Sequence, residues 1–176
     1  MHYWSEIDGA SVFVNNDKIG QVENSVIDPA NKAVLGFLLE RRSTELRHRF
    51  IPFSLVKELR RDSIKLRNTS GIIVMTRNFL KNNILAEELL NKPIIDENGE
   101  WIGRVVDFAF DASNGNFREI ILSGSLIEDI WLGRKRMPVL ERVEFSRELI
   151  QIDRDTRNEI TGLKKGLKNL LNMDIL

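Results

Sequence analysis

The chain has 176 residues, 42% of them hydrophobic and 30% charged, with 26 basic side chains against 26 acidic ones. Those proportions suit a soluble globular protein with real apolar cores, and the charge balance excludes a global field that would draw it to nucleic acid or anionic membrane. The absence of cysteine excludes disulfide staples, thiolate zinc sites and cysteine nucleophiles, and is compatible with a reducing cytoplasm.

The N-terminal residues Met1 to Glu6 lack the basic stretch and apolar core of a secretory signal. Apolar runs such as Ile72 to Met75 are far shorter than the roughly 20 residues a membrane helix needs. The expectation is a cytoplasmic protein without a transmembrane segment. The first predicted turn is Asn15-Asn16-Asp17, followed by a strand that runs through Ile19-Gly20-Gln21-Val22 to Ile27. Asp28-Pro29-Ala30-Asn31 supplies the next turn and Val34 to Leu39 the return strand. A basic loop, Arg47-His48-Arg49, then leads into Phe50-Ile51-Pro52-Phe53, and Ser63 to Leu66 closes the set.

Ile84 to Leu90 reads as a short linker helix. Beyond it, Asp96-Glu97-Asn98-Gly99 makes a hairpin turn ahead of Ile102-Gly103-Arg104-Val105. Val106, Phe108 and Phe110 alternate with Asp107, Ala109 and Asp111, a period-2 pattern with one apolar face. Asp111 to Asn116 is a turn rich in Asn and Gly, and Phe117 to Leu122 begins the return. A longer connection, Ser125 to Arg134, reaches Arg134-Lys135-Arg136, Met137-Pro138-Val139 and the closing strand Leu149 to Ile152. From Thr156 to Leu171, Ile160, Leu163, Leu167, Leu170 and Leu171 recur at helical spacing, which predicts an amphipathic C-terminal helix. Its apolar stripe would pack on the same chain, on a partner or second subunit, or, least in keeping with its three lysines, on a membrane surface.

These elements repeat. A displacement of 83 residues carries Ile19-Gly20 onto Ile102-Gly103, Asp28 onto Asp111, Asn31 onto Asn114 and Phe37-Leu38-Leu39 onto Ile120-Ile121-Leu122. A displacement of 86 carries Ile51-Pro52-Phe53 onto Met137-Pro138-Val139 and Ile64-Lys65-Leu66 onto Ile150-Gln151-Ile152. Collinear matches of this kind point to an internal duplication, with two similar hairpins in one larger sheet as the alternative. The fold class is all-β: two tandem small antiparallel barrels, a short linker helix and the C-terminal helix. The expected boundaries are 1–76 for the first repeat, 77–91 for the linker, 92–155 for the second repeat and 156–176 for the last helix. Gly20 and Gly103 hold equivalent strand positions, where glycine often marks a bulge or a barrel corner.

An Ile-Gly-x-Val strand, an Asp-initiated turn, an apolar return strand, an apolar-Pro-apolar step and a closing strand, in that order, resemble the PRC-barrel family. The likeness runs from Lys92-Pro93 to Ile152 in the second repeat and is weaker from Ile19 to Leu66 in the first. The family includes the cytoplasmic part of the photosynthetic reaction-centre H subunit and the C-terminal domain of a ribosome-maturation factor. The resemblance implies a β-barrel adaptor and carries no catalytic motif.

The residues themselves point the same way. His2 and His48 are the only histidines, so a histidine-based catalytic pair is not expected. No phosphate-cradling glycine cluster occurs, and Asp96 to Glu100 lacks the ligand spacing of a calcium loop. No catalytic residue, cofactor or metal is therefore assigned, and the chain is expected not to be an enzyme. The candidate partner-binding residues are Arg47, His48, Arg49, Arg134, Lys135 and Arg136, in loops that the repeat makes equivalent, with Trp101 and Trp131. Trp101 stands where the first repeat has Lys18. Burial is its expected state, and an exposed interface anchor is the alternative. The favoured function is protein binding to a partner the sequence does not name, by a monomer or homodimer. RNA or ribosome contact through the basic loops is the runner-up.

Overall fold

A computed structural model describes residues 1–41, 43, 48–76, 78–124 and 133–163. They form two compact units, Met1–Glu88 joined by Ala109–Phe117, and Leu89–Phe108 joined by the chain from Arg118 onward. Both are built almost wholly of β-structure, as the turn-punctuated sequence predicts.

In the first unit the strands are β1 (His2–Tyr3), β2 (Ser11–Val14), β3 (Asp17–Asp28), β4 (Ala33–Leu39), β5 (Arg49–Pro52), β6 (Val56–Arg60), β7 (Ser63–Leu66), β8 (Ile73–Val74) and β9 (Ile84–Leu85), the last running into the short helix α1 (Ala86–Leu89). Their order in the sheet is β6-β7-β2-β3-β4-β5-β8, with β9 added against β3. The turn chemistry works as read. Asp28 closes the β3–β4 turn by accepting the N–H groups of Ala30 and Asn31 at 2.9 and 3.0 Å, and Asn15 takes the positive φ of 55° in the β2–β3 turn.

The second unit contains β10 (Pro93–Asp96), β11 (Trp101–Phe110) as far as Phe108, β12 (Phe117–Ser123) from Arg118, β13 (Lys135–Pro138), β14 (Glu144–Phe145), β15 (Ile150–Ile152), the helix α2 (Arg154–Asn158) and β16 (Thr161–Gly162). The order is β14-β15-β10-β11-β12-β13-β16. Strand for strand this is the topology of the first unit. Neither sheet is purely antiparallel. The closing strand returns parallel to the first one, β7 on β2 with Ile64 opposite Val12, and β15 on β10 with Ile150 opposite Ile94.

The core of the first unit is completed by a segment far along the chain. Ala109–Phe117 comprises the end of β11, the Asp111 turn and the start of β12. Phe110 is fully buried, its ring centroid 6.3 Å from that of Phe37 and 6.2 Å from that of Phe53. The backbone joins as well: Val34 N–H donates to Gly115 O at 2.9 Å, Phe117 N–H donates to Lys32 O at 2.8 Å, and β1 pairs with Ala109 and Phe110. Gly115 has φ +78°, and a Cβ there would lie 2.5 Å from Val34 O, so the turn admits only glycine. These contacts explain why the simple alternation expected along β11 fails at Ala109, which is as buried as Phe108 and Phe110.

In its described part the expected C-terminal helix is interrupted: α2 ends at Asn158, and β16 follows at Thr161–Gly162. Asp153 caps α2 by accepting Thr156 N–H at 2.9 Å, but Thr161 and Gly162 pair with Arg136 and Lys135 as β16. Backbone groups that the edge of β13 can satisfy are drawn into the sheet, and helical periodicity at Ile160 and Leu163 does not outweigh that. The remainder of the predicted helix lies outside the described residues.

Truncating Phe110 removes a filled position from the first unit. The variant Phe110→Ala is expected to lose about 3–5 kcal/mol. Urea denaturation should show a lowered midpoint, and hydrogen exchange should quicken in β3 and β4.

Candidate partner-binding site

The site begins with a β-bulge. In the second unit Ile94 faces Gly103 and Ile95 faces Trp101, leaving Ile102 as the extra residue. The first unit has the same device, with Val12 facing Gly20 and Phe13 facing Lys18. The close approach explains the glycine. A Cβ on Gly103 would lie 2.7 Å from Ser123 O and 3.0 Å from a Leu122 methyl. A bulge re-aims the side chains around it, and here it turns Trp101 outward. Trp101 is 51% exposed, so the expectation of burial does not hold.

An open cleft of about 680 Å³ runs beside this ring, lined by Trp101, Ile102, Lys135, Ile160 and the pair Glu100 and Arg157, with the glycines of β16 and position 133 at its rim. Apolar side chains supply one part of the lining and charged groups the other.

Arg157 fixes the geometry. Its guanidinium donates to Asp96 Oδ2 at 2.5 Å and to Glu100 Oε2 at 2.7 Å, tying α2 to the turn between β10 and β11. Asp96 is itself buried, and its other oxygen accepts the N–H groups of Glu100 and Asn98 at 2.8 and 2.9 Å. Those bonds to the ionised carboxylate, first from Glu100 N–H and then from Asn98 N–H and Arg157, hold the Asp96 pKa below its ordinary value against the opposing effect of burial. The two carboxylates raise the pKa of Arg157, Glu100 contributing most.

In the first unit the corresponding place is filled differently. Lys18 replaces Trp101 and is exposed. Arg49, equivalent to Lys135, lies over the strand glycine: its Nη1 donates to Ile19 O at 3.3 Å, and a Cβ on Gly20 would sit 3.5 Å from its Nη2.

The expected basic loops are partly strand. Arg49 opens β5, and Lys135 and Arg136 lie on β13, while Arg134 is exposed just before it. The closing step of the repeat draws these cations into pairing, so they present side chains from a sheet. His48 Nδ1 stands 2.7 Å from Glu23 Oε2, and Arg136 Nε is 3.6 Å from Glu119 Oε2. Within the second unit Trp101 and Lys135 meet at one cleft. Arg47 and Trp131 lie outside the described residues. Sequence reasoning missed Arg157, Asp96 and Glu100 as a cluster. Asp96 and Arg157 are 61 residues apart, and in sequence one reads as a turn aspartate and the other as a helix-surface cation. The acidic run at the hairpin was the one visible signal.

Residues 81–154 match the family model of the PRC-barrel domain. The chain contains a PRC-barrel domain. Among curated proteins none matches the chain. The matched stretch of the PRC-barrel domain holds Glu100, Trp101, Ile102 and Lys135 of the cleft lining, and Asp96 as well, whereas Arg157 and Ile160 follow it. Among the described residues no helix is long and apolar enough to cross a membrane, and no cluster of metal-binding side chains occurs.

The Asp96 shift fixes a sign for acid stability. A carboxylate whose folded pKa is lowered lends stability that is fully present above its unfolded value, ordinarily 3.8, and lost as the pH falls through the lowered folded value. Melting temperatures followed into acid should fall less steeply in Asp96→Asn than in the parent chain, and the variant should be the less stable of the two near neutrality.

Proposed function

We propose that the protein is a non-enzymatic adaptor, and that it holds a partner protein against the Trp101 cleft of its PRC-barrel domain. The observation that carries this reading is Trp101 itself, a large ring left 51% exposed on β11 beside Ile102 and Ile160. Exposed aromatics flanked by apolar and cationic groups are the usual anchors of protein interfaces. The difference between the units supports it further. Where one carries Trp101 beside an open cleft, the other carries Lys18 and lays Arg49 across the strand glycine. The lack of cysteine is in keeping with work in a reducing cytoplasm.

The engagement of Arg136 by Glu119 counts against RNA as the main partner, because a paired cation releases fewer counterions on binding phosphate. The test is affinity capture of the tagged full chain from its native cells, with and without nuclease, alongside Trp101→Ala and Lys135→Glu. A protein partner that survives nuclease is expected to bind Trp101→Ala more weakly by about 2 kcal/mol or more, roughly thirtyfold. Lys135→Glu should chiefly change the association rate and its salt dependence. Captured material that disappears with nuclease, or that binds Trp101→Ala undiminished, overturns the reading.

A further inference from the structure

The dipeptide Asn-Gly occurs twice, as Asn98-Gly99 in the β10–β11 turn and as Asn114-Gly115 in the β11–β12 turn. It is the sequence in which an asparagine side chain is most open to attack by the next backbone nitrogen, because glycine carries no Cβ to obstruct the approach. In both turns the glycine N–H is bonded to an aspartate carbonyl, Gly99 to Asp96 O at 3.0 Å and Gly115 to Asp111 O at 2.9 Å. That bond does not separate them. Their surroundings do.

Asn114 holds its side-chain oxygen on Asn116 N–H at 3.0 Å, and Gly115 is buried with Val34 O directly against it. Moving the Gly115 nitrogen toward the Asn114 side chain would break the join between this turn and β4. Asn98 is exposed, its side-chain amide makes no hydrogen bond to any described residue, and Gly99 has open space around its Cα. One Asn-Gly pair is locked and the other is free to react.

We propose that Asn98 is a site of spontaneous modification, and that its isoaspartate product loosens the wall of the Trp101 cleft. The Gly99 nitrogen loses its proton to water and attacks Asn98 Cγ. The Cγ–N bond of the side-chain amide breaks, and the leaving group takes up a proton and departs as ammonia. Water then opens the cyclic imide at either carbonyl. One opening gives aspartate. The other routes the main chain through the former side chain and so adds one carbon to the backbone between residues 98 and 99.

The two products differ in consequence. Aspartate at 98 keeps the turn and adds a charge near Arg154, across a hollow of about 440 Å³ that both residues line. Isoaspartate lengthens a turn whose two N–H groups, of Asn98 and Glu100, both close on Asp96 Oδ1. Displacing Glu100 removes one of the two carboxylates that hold Arg157, and Arg157 is what ties α2 to this side of the cleft.

The experiment ages the purified full chain in mildly alkaline buffer at physiological temperature and maps its peptides by mass spectrometry, with isoaspartyl methyltransferase to mark isoaspartate. Modification is expected to accumulate at Asn98 severalfold faster than at Asn114, and Gly99→Ala should suppress it. In a chain unfolded in denaturant the two sites should react alike. Acrylamide quenching of Trp101, taken as the difference from Trp101→Phe, should rise in the isoaspartate fraction and stay at the parent value in Asn98→Asp. Equal rates at the two sites in the folded chain, or faster reaction at Asn114, overturn the site. Quenching that does not change in the isoaspartate fraction overturns the loosening. No partner enters either measurement, so the outcome is separate from that of the adaptor reading.

Discussion

The buried ring of Phe110 is the contact on which the first unit depends. A fully buried aromatic supplies a large share of a small core, and this one comes from the end of β11, beyond the closing strand β7 of the first repeat. With it come the Gly115 and Phe117 backbone bonds and the pairing of β1. The first repeat therefore cannot be treated as a self-sufficient stretch of sequence. Its residues build the sheet order and most of the core, but residues 109–117 belong to the same unit and bring Phe110 into it. A consequence for folding follows. The contacts of Phe110 with Phe37 and Phe53 join distant parts of the chain, and such pairings are slow to form because loop closure precedes any gain from them.

Within each sheet the strand glycine is the second constraint. Gly103 has no room for a side chain against Ser123 O, and the bulge at Ile102 turns Trp101 toward solvent where regular pleating would have set the opposite alternation. One backbone feature thus serves barrel curvature and display at once. The same bulge in the first unit displays a lysine and is overlain by Arg49, so the bulge by itself does not set which side chain is displayed. Side-chain choice at positions 18 and 101, and at 49 and 135, separates the two.

Most of the architecture is legible in the sequence for a physical reason. Turns are local: Asp28, Asp96 and Asp111 each close their own loop by accepting nearby N–H groups, so their chemistry is written within a few residues. The collinear repeat then fixes the strand order, since two sheets with matched turns and matched apolar strands adopt the same path. What escapes is non-local. The parallel closure of β7 on β2 leaves no mark on either strand, and neither does the arrival of Ala109 and Phe110 in the first unit. Helical spacing from Ile160 onward is a real pattern, but it describes a competition that β16 wins at Thr161 and Gly162. The cleft was half legible. Trp101 stood out because its counterpart is a lysine, whereas Arg157 looks like any surface arginine until its carboxylates are in place.

Arg157 deserves its position for an electrostatic reason as well as a geometric one. A buried aspartate such as Asp96 is costly to desolvate unless its oxygens are satisfied, and here two backbone N–H groups and one guanidinium satisfy them. Removing Arg157 would leave a buried carboxylate short of a donor, which costs more than the loss of an ordinary surface pair. The turn, the helix α2 and the cleft are thereby linked through one planar group. On the proposed adaptor reading, a partner seated on Trp101 and Ile160 would touch both sides of that link, so its affinity should depend on how firmly Arg157 holds them together.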